Sequence, residues 1–212
     1  FAIVVGHGIT GLWHGLLIDA RNKLGLSRLQ MFLWTLVVLS GFITAALSNL
    51  AADQVEPLAV TIPSELWLLV GISTTSLVAS PLIKSSKRAR LADRDEVKDT
   101  FALLSNQGVD IGRIAAKGQI VVNAAPEDAR WSDLFTGEET GNAGRLDLAK
   151  VQMFYFALIL VLAYGVALGA MFQGDMSRVA TFPDLGQGVV ALMGISHAGY
   201  LVSKAIPHSQ PR

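Results

Sequence analysis

Five stretches of this chain run for about 18–23 residues almost without charge. They cover roughly residues 1–18, 29–50, 64–83, 151–173 and 186–203, and Glu65 is the only acidic or basic residue in any of them. A helix rises ~1.5 Å per residue, so about 20 such residues cross a ~30 Å hydrocarbon core. Buried helices of soluble proteins seldom run so long uncharged. A hydrophobic fraction of 51% and a mean hydropathy of +0.46 agree. The pattern predicts an all-α, polytopic membrane protein with about five transmembrane helices in contact with the lipid bilayer.

The stretches also repeat. Leu29-Gln30-Met31-Phe32 opens one and Val151-Gln152-Met153-Phe154 opens another. Each leads through a polar connection to Ile62-Pro63 or Phe182-Pro183. Each pair is followed by a second apolar run carrying Gly-Ile-Ser, at Gly71-Ile72-Ser73 and Gly194-Ile195-Ser196. This predicts two hairpins of membrane helices, residues 29–84 and 151–205. Residues 1–28 form a first membrane helix with a basic loop, 85–150 a small inserted segment and 206–212 a tail. The first stretch has neither a basic lead nor a small-residue cleavage site, so it reads as a membrane helix rather than a signal peptide.

Charge sets the expected orientation. Arg21, Lys23 and Arg28 lie between the first two stretches, eleven Lys and Arg lie from Lys84 to Lys150, and Lys204 and Arg212 follow the last. Sixteen of the seventeen basic residues thus fall on one side, with Arg178 alone opposite, beside Asp53, Glu56, Glu65, Asp175 and Asp184. The positive-inside rule places 19–28, 84–150 and the C-terminus on the cytoplasmic side of the cell membrane, and the start of the chain outside. Both hairpins then enter from the cytoplasm, so the duplication is parallel rather than inverted. Inverted repeats are the commoner mark of alternating-access carriers. Zero net charge argues against a nucleic-acid partner, and zero cysteines remove disulfides and thiol chemistry.

Local signals fill in the elements. Ser27-x-x-Gln30 fits a capping box, Asp147 a helix cap, and Pro63 and Pro183 the first helical position. Gln30 and Gln152 are placed to hydrogen-bond between the hairpins. Gly11-x-x-x-Gly15, Gly165-x-x-x-Gly169, and Gly194 with Ala198, suit close helix packing in a bundle or an oligomer. Residues 84–104 read as a cytoplasmic continuation of the third helix, 118–123 as a strand and 127–135 as a short helix with an apolar face at Trp131, Leu134 and Phe135.

Three groups are candidates for chemistry. His14 and His197 fall at similar expected depth, a spacing that a bis-histidine haem b site requires, with Gly15 leaving room for a ring. The alternative is two polar side chains bonded within the bundle. Ser73, Thr74, Thr75 and Ser76, with Ser196, form a hydroxyl stripe that lines a pore or bonds to its own helix. Glu127, Asp128, Asp133, Glu138 and Glu139 read as solvated surface carboxylates. Phosphate-loop, nucleophile-elbow and zinc-protease motifs are missing from the sequence.

The segments Ser27–Trp34 (Ser-Arg-Leu-Gln-Met-Phe-Leu-Trp), Asp128–Phe135 (Asp-Ala-Arg-Trp-Ser-Asp-Leu-Phe) and Gly194–Leu201 (Gly-Ile-Ser-His-Ala-Gly-Tyr-Leu) resemble those of a family of bacterial multi-pass membrane proteins without an assigned function. The resemblance covers most of the chain from about residue 12 and implies a bacterial membrane protein, with no catalytic residue carried over. The leading expectation is a non-enzymatic membrane subunit that assembles with itself or with other membrane subunits. A channel or carrier lined by the hydroxyl stripe, and a redox subunit holding haem b, are the alternatives.

Overall fold

The computed structural model describes residues 2–174 and 178–209. The chain start at Phe1 and the charges of Asp175 and Arg212 lie outside the described residues. Six helices account for most of what is described: α1 (Ala2–Thr10), α2 (Leu26–Ala51), α3 (Ser64–Arg88), α4 (Arg94–Asn106), α5 (Leu148–Phe172) and α6 (Gln187–Ala205). A two-stranded antiparallel hairpin, β1 (Ile114–Lys117) and β2 (Ile120–Asn123), lies between α4 and α5.

Three helices, α2, α3 and α5, are long and apolar enough to cross a membrane. Together with α6 they form a four-helix ring: α2 packs on α3 and α5, and α6 packs on the same two. Each ring helix buries one face at a spacing of three or four residues. On α2 that face is Ser27, Gln30, Trp34, Val38, Gly41, Ala45 and Asn49. On α3 it is Leu66, Leu69, Ser73, Ser76 and Ser80. The outward faces carry Leu39, Ile43 and Leu47 on α2, Val78 and Leu82 on α3, and Ile159, Leu162 and Val166 on α5, all exposed. A soluble bundle puts its aliphatic residues inside and its polar ones outside. Here the outward faces are aliphatic as well. Small and polar residues such as Ser27, Gln30, Asn49, Ser73, Ser76 and Ser80 share the buried faces with Trp34, Val38, Leu66 and Leu69, a distribution that fits a lipid surround.

Lipid gives helices no hydrophobic reason to associate, so close contact has to hold them. Trp34 is fully buried and its ring lies 6.4 Å from that of Tyr164 on α5. At Gly41 an added Cβ would stand 3.1 Å from Leu168 Cδ1 and 3.2 Å from Phe182 Cζ, so α2 approaches its neighbours closely there. At one end of the bundle the two interhelical connections meet. Thr61 N–H donates to the Ala180 carbonyl (2.8 Å) and Phe182 N–H to the Thr61 carbonyl (3.0 Å), a parallel bridge between Thr61 and Thr181. Asn49 ties the same end. Its Nδ2 donates to the Val179 carbonyl (2.9 Å) and the Pro57 carbonyl (3.2 Å), and its Oδ1 accepts from Val179 N–H (2.7 Å).

Several local expectations change. The first stretch is not one helix over 1–18. The helix ends at Thr10, where Gly11 takes φ +73° and its N–H closes on the His7 carbonyl, a glycine stop. A short 3₁₀ turn, Gly15–Leu17, then folds back so that Gly15 packs on Thr10 and the Gly6 carbonyl. The nine residues of α1 rise only ~14 Å. The capping box at Ser27 does not form either. Helix α2 begins at Leu26, the Ser27 hydroxyl is buried without a hydrogen bond, and Gln30 reaches across to donate to the Met153 carbonyl of α5 (3.1 Å). Pro63 sits just before α3 rather than at its first position, and Pro183 lies outside α6. The third helix stops at Arg88, and α4 starts afresh with Asp93 accepting from the N–H groups of Asp95 and Glu96. The expected strand over 118–123 is the second arm of a hairpin whose first arm, β1, alternates exposure too weakly to be seen. Residues 127–135 form two 3₁₀ turns, Pro126–Asp128 and Trp131–Leu134. Asp147 does cap α5, accepting from Ala149 and Lys150 N–H.

Candidate functional site: a buried ion network at the end of the bundle

The starts of α2 and α5 and the ends of α3 and α6 meet a layer made from the 19–24 loop and the 133–147 segment. That layer is positioned by backbone pairing. Val121 N–H donates to the Glu138 carbonyl (3.0 Å) and Thr140 N–H to the Gln119 carbonyl (2.9 Å), so β2 carries Glu138 and Glu139 to the helix ends. Asn22 and Asn123 exchange side-chain to backbone bonds of 3.1 and 2.8 Å, which fixes the 19–24 loop on the same hairpin.

Glu138 is 8% exposed and lies at the centre. Four cations surround it: Lys204 at 2.7 Å, Lys150 at 3.1 Å, Arg21 at 3.2 Å and Lys84 at 3.9 Å. Around that core, Asp19 pairs with Arg21 (2.9 Å) and Lys84 (2.7 Å), Glu139 with Lys87 (2.6 Å), and Asp133 with Lys23 (3.4 Å). Burial alone would raise the Glu138 carboxyl. The positive field of Arg21, then Lys150, Lys204 and Lys84, outweighs it and holds the group well below the ordinary glutamate range. Asp19 follows the same logic, with burial opposed by Arg21 and Lys84 and the carboxyl held low. Arg21 is pulled upward: burial opposes its charge, but Glu138 and Asp19 more than compensate. Lys23 goes the other way, because burial outweighs its one near carboxylate, Asp133.

Six cations thus face four carboxylates. Backbone carbonyls take up the difference. Lys87 Nζ donates to the carbonyls of Lys204 (2.5 Å) and Ile206 (2.8 Å) at the end of α6, where the helix dipole is negative. Lys150 Nζ donates to the Thr136 carbonyl (2.6 Å). The C-terminal residues close the layer: His208 N–H donates to Glu139 (3.0 Å) and Ser209 Oγ pairs with Thr140 Oγ1 (2.8 Å). The arrangement is a clamp that joins two helix starts, two helix ends and the inserted layer through buried charge.

Asp133, Glu138 and Glu139 therefore do not belong to a solvated surface, as their polar neighbourhood in sequence suggested. Their missed partners were in plain view, as the Lys and Arg at the span ends. In the sequence those residues mark orientation, and the long separation between Lys84 and Glu138 hides their pairing.

The other sequence candidates separate. Ser76 Oγ and His197 Nδ1 lie 2.7 Å apart in the buried α3–α6 seam. Ser73 and Ser196 are also buried there, and neither hydroxyl, nor His197 Nε2, has a hydrogen-bond partner among the described residues. Thr74 and Thr75 sit on the exposed face and donate back to the Val70 (2.8 Å) and Gly71 (2.9 Å) carbonyls of their own helix. Successive helical residues are ~100° apart, so four in a row cannot line one path. His14 is held elsewhere, with its ring 5.0 Å from that of Trp13 and 6.4 Å from that of Trp131. Gly15 gives its space to Thr10 rather than to a prosthetic ring. The two histidines thus answer to different partners.

Comparison with protein-family models, with characterised proteins and with solved structures finds no match.

Proposed function

We propose that this chain is a non-enzymatic integral membrane subunit that assembles with itself or with other membrane subunits. The observation that carries the reading is the aliphatic outer surface of the four-helix ring, whose buried faces also hold hydroxyl and amide side chains. On this reading α6 crosses the bilayer beside α2, α3 and α5. The α2–α3 and α5–α6 hairpins are parallel copies of one unit, and the ion-clamp end faces the cytoplasm of a bacterial cell. Three features support the duplication: the Thr61–Thr181 bridge joins equivalent connections, Gln30 reaches the equivalent turn of α5, and Ser76 meets His197 on the equivalent helix. Membership of the bacterial family that the sequence resembles belongs to the same proposal.

Assembly is supported by α5. A Cβ at Gly165 or Gly169 would meet nothing within 4 Å, so this small-residue face is not used inside the described chain. The chain has no cysteine, so a single introduced thiol reports unambiguously. Gly169→Cys is expected to give an oxidised cross-link in native membranes, to a second copy or to another subunit. A lone monomer mass in native-lipid particles, together with no cross-link, contradicts the assignment.

A further inference from the structure

Beside the ion clamp a cleft of about 620 Å³ opens between α2 and α3, floored by residues 16–21. Its walls are apolar and belong to the spans, chiefly Met31 and Phe32 of α2 and Leu77 and Pro81 of α3. Its mouth is basic. Arg28 stands at the start of α2 and Arg88 at the end of α3. Asp19, the one acidic lining residue, is already paired with Arg21 and Lys84. The two rim guanidiniums have no carboxylate among the described residues. Among the described residues Arg28 donates to the Leu16 carbonyl (3.3 Å) and Arg88 to the Ala20 carbonyl (3.2 Å), while the buried Arg88 Nε has no partner there.

A cleft with an apolar wall along the span, and at its end two guanidiniums that have no carboxylate among the described residues, matches one kind of molecule on both counts. We propose that it holds an anionic phospholipid of the surrounding bilayer, its acyl chain against Met31, Phe32, Leu77 and Pro81 and its phosphate between Arg28 and Arg88. Arginine forks suit phosphate oxygens geometrically, and the ends of spanning helices lie at the level of lipid headgroups. Pro81 adds to the fit: it has no N–H to offer the Leu77 carbonyl, and both residues face the cleft.

The inference rests on the membrane reading above. The test uses the full chain in detergent, incubated with vesicles of phosphatidylglycerol or of phosphatidylcholine, with bound lipid counted by native mass spectrometry. Wild type is expected to retain one phosphatidylglycerol at least fivefold better than phosphatidylcholine. The Arg28→Gln/Arg88→Gln double variant should lose that preference, and Arg94→Gln, which removes a charge on α4 outside the cleft, should keep it. Equal retention of both lipids, an unchanged preference in the double variant, or displacement of the lipid by millimolar inorganic phosphate alone overturns the proposal. A chain that stays dispersed without detergent and takes up no lipid at all refutes the membrane reading instead.

Discussion

Glu138 shows how much one side chain can carry. Breaking a buried ion pair by removing one partner costs about 3–5 kcal/mol, because the other charge stays buried without compensation. Glu138→Gln leaves four cations facing a neutral amide, so a loss of that order is expected. It should appear as a marked fall in the thermal unfolding midpoint of the detergent-solubilised protein. The pH dependence follows from the direction of the shift. The folded carboxyl titrates below its unfolded value of about 4.3, so its stabilisation is complete above that pH and disappears as the pH falls through the depressed folded value. Acid unfolding of wild type should therefore steepen below about pH 4, and the Glu138→Gln protein should lose that slope. An unchanged acid limb in the variant would place the acid sensitivity elsewhere.

At the level of elements, the connections hold as much as the helices do. Asn49 stands at the end of α2 and makes two hydrogen bonds to Val179 that tie the first hairpin to the chain before Thr181, and a third to Pro57 within its own connection. Asn49→Leu fills similar space and leaves the Val179 N–H and carbonyl unpaired at a buried site, at a cost of about 1–3 kcal/mol for each group so left. Hydrogen exchange at residues 57–62 and 178–182 should rise well before exchange in the helix centres does. Equal protection in both proteins would mean the Thr61–Thr181 bridge suffices alone. Such ties explain what was legible in the sequence. Long uncharged stretches locate α2, α3 and α5 to within about five residues at each end, because span length is a strong constraint. The break at Gly11 was not legible, since a glycine inside an apolar stretch reads equally as a packing residue. The Ser27 cap failed for a similar reason: tertiary packing turned Gln30 toward Met153 instead of its own helix start. In the site, the histidine and hydroxyl candidates were at least visible as polar residues in apolar surroundings. Ser76 and His197 proved to be each other's partner, which only the packing of α3 on α6 could reveal.

For the whole molecule, orientation is the property that the charge distribution predicts and a label can read. Val55 is 97% exposed in the connection between α2 and α3, and Lys98 is exposed on α4 at the opposite end. In intact cells a membrane-impermeant maleimide should label Val55→Cys and leave Lys98→Cys unlabelled until the membrane is opened. The reverse pattern would invert the molecule. The clamp's pairs are buried, so its strength should depend little on ionic strength, unlike that of exposed pairs.

The bridge between Thr61 and Thr181 has one more consequence. With the clamp at the far end, it makes the four helices staves held by two hoops, one of backbone hydrogen bonds and one of ions. Between the hoops, near Ser73 and His197, side-chain packing and the Ser76–His197 contact join the staves. Any bowing of the bundle is therefore greatest midway along the helices, where Ser73, Ser196 and His197 Nε2 lie without hydrogen-bond partners among the described residues.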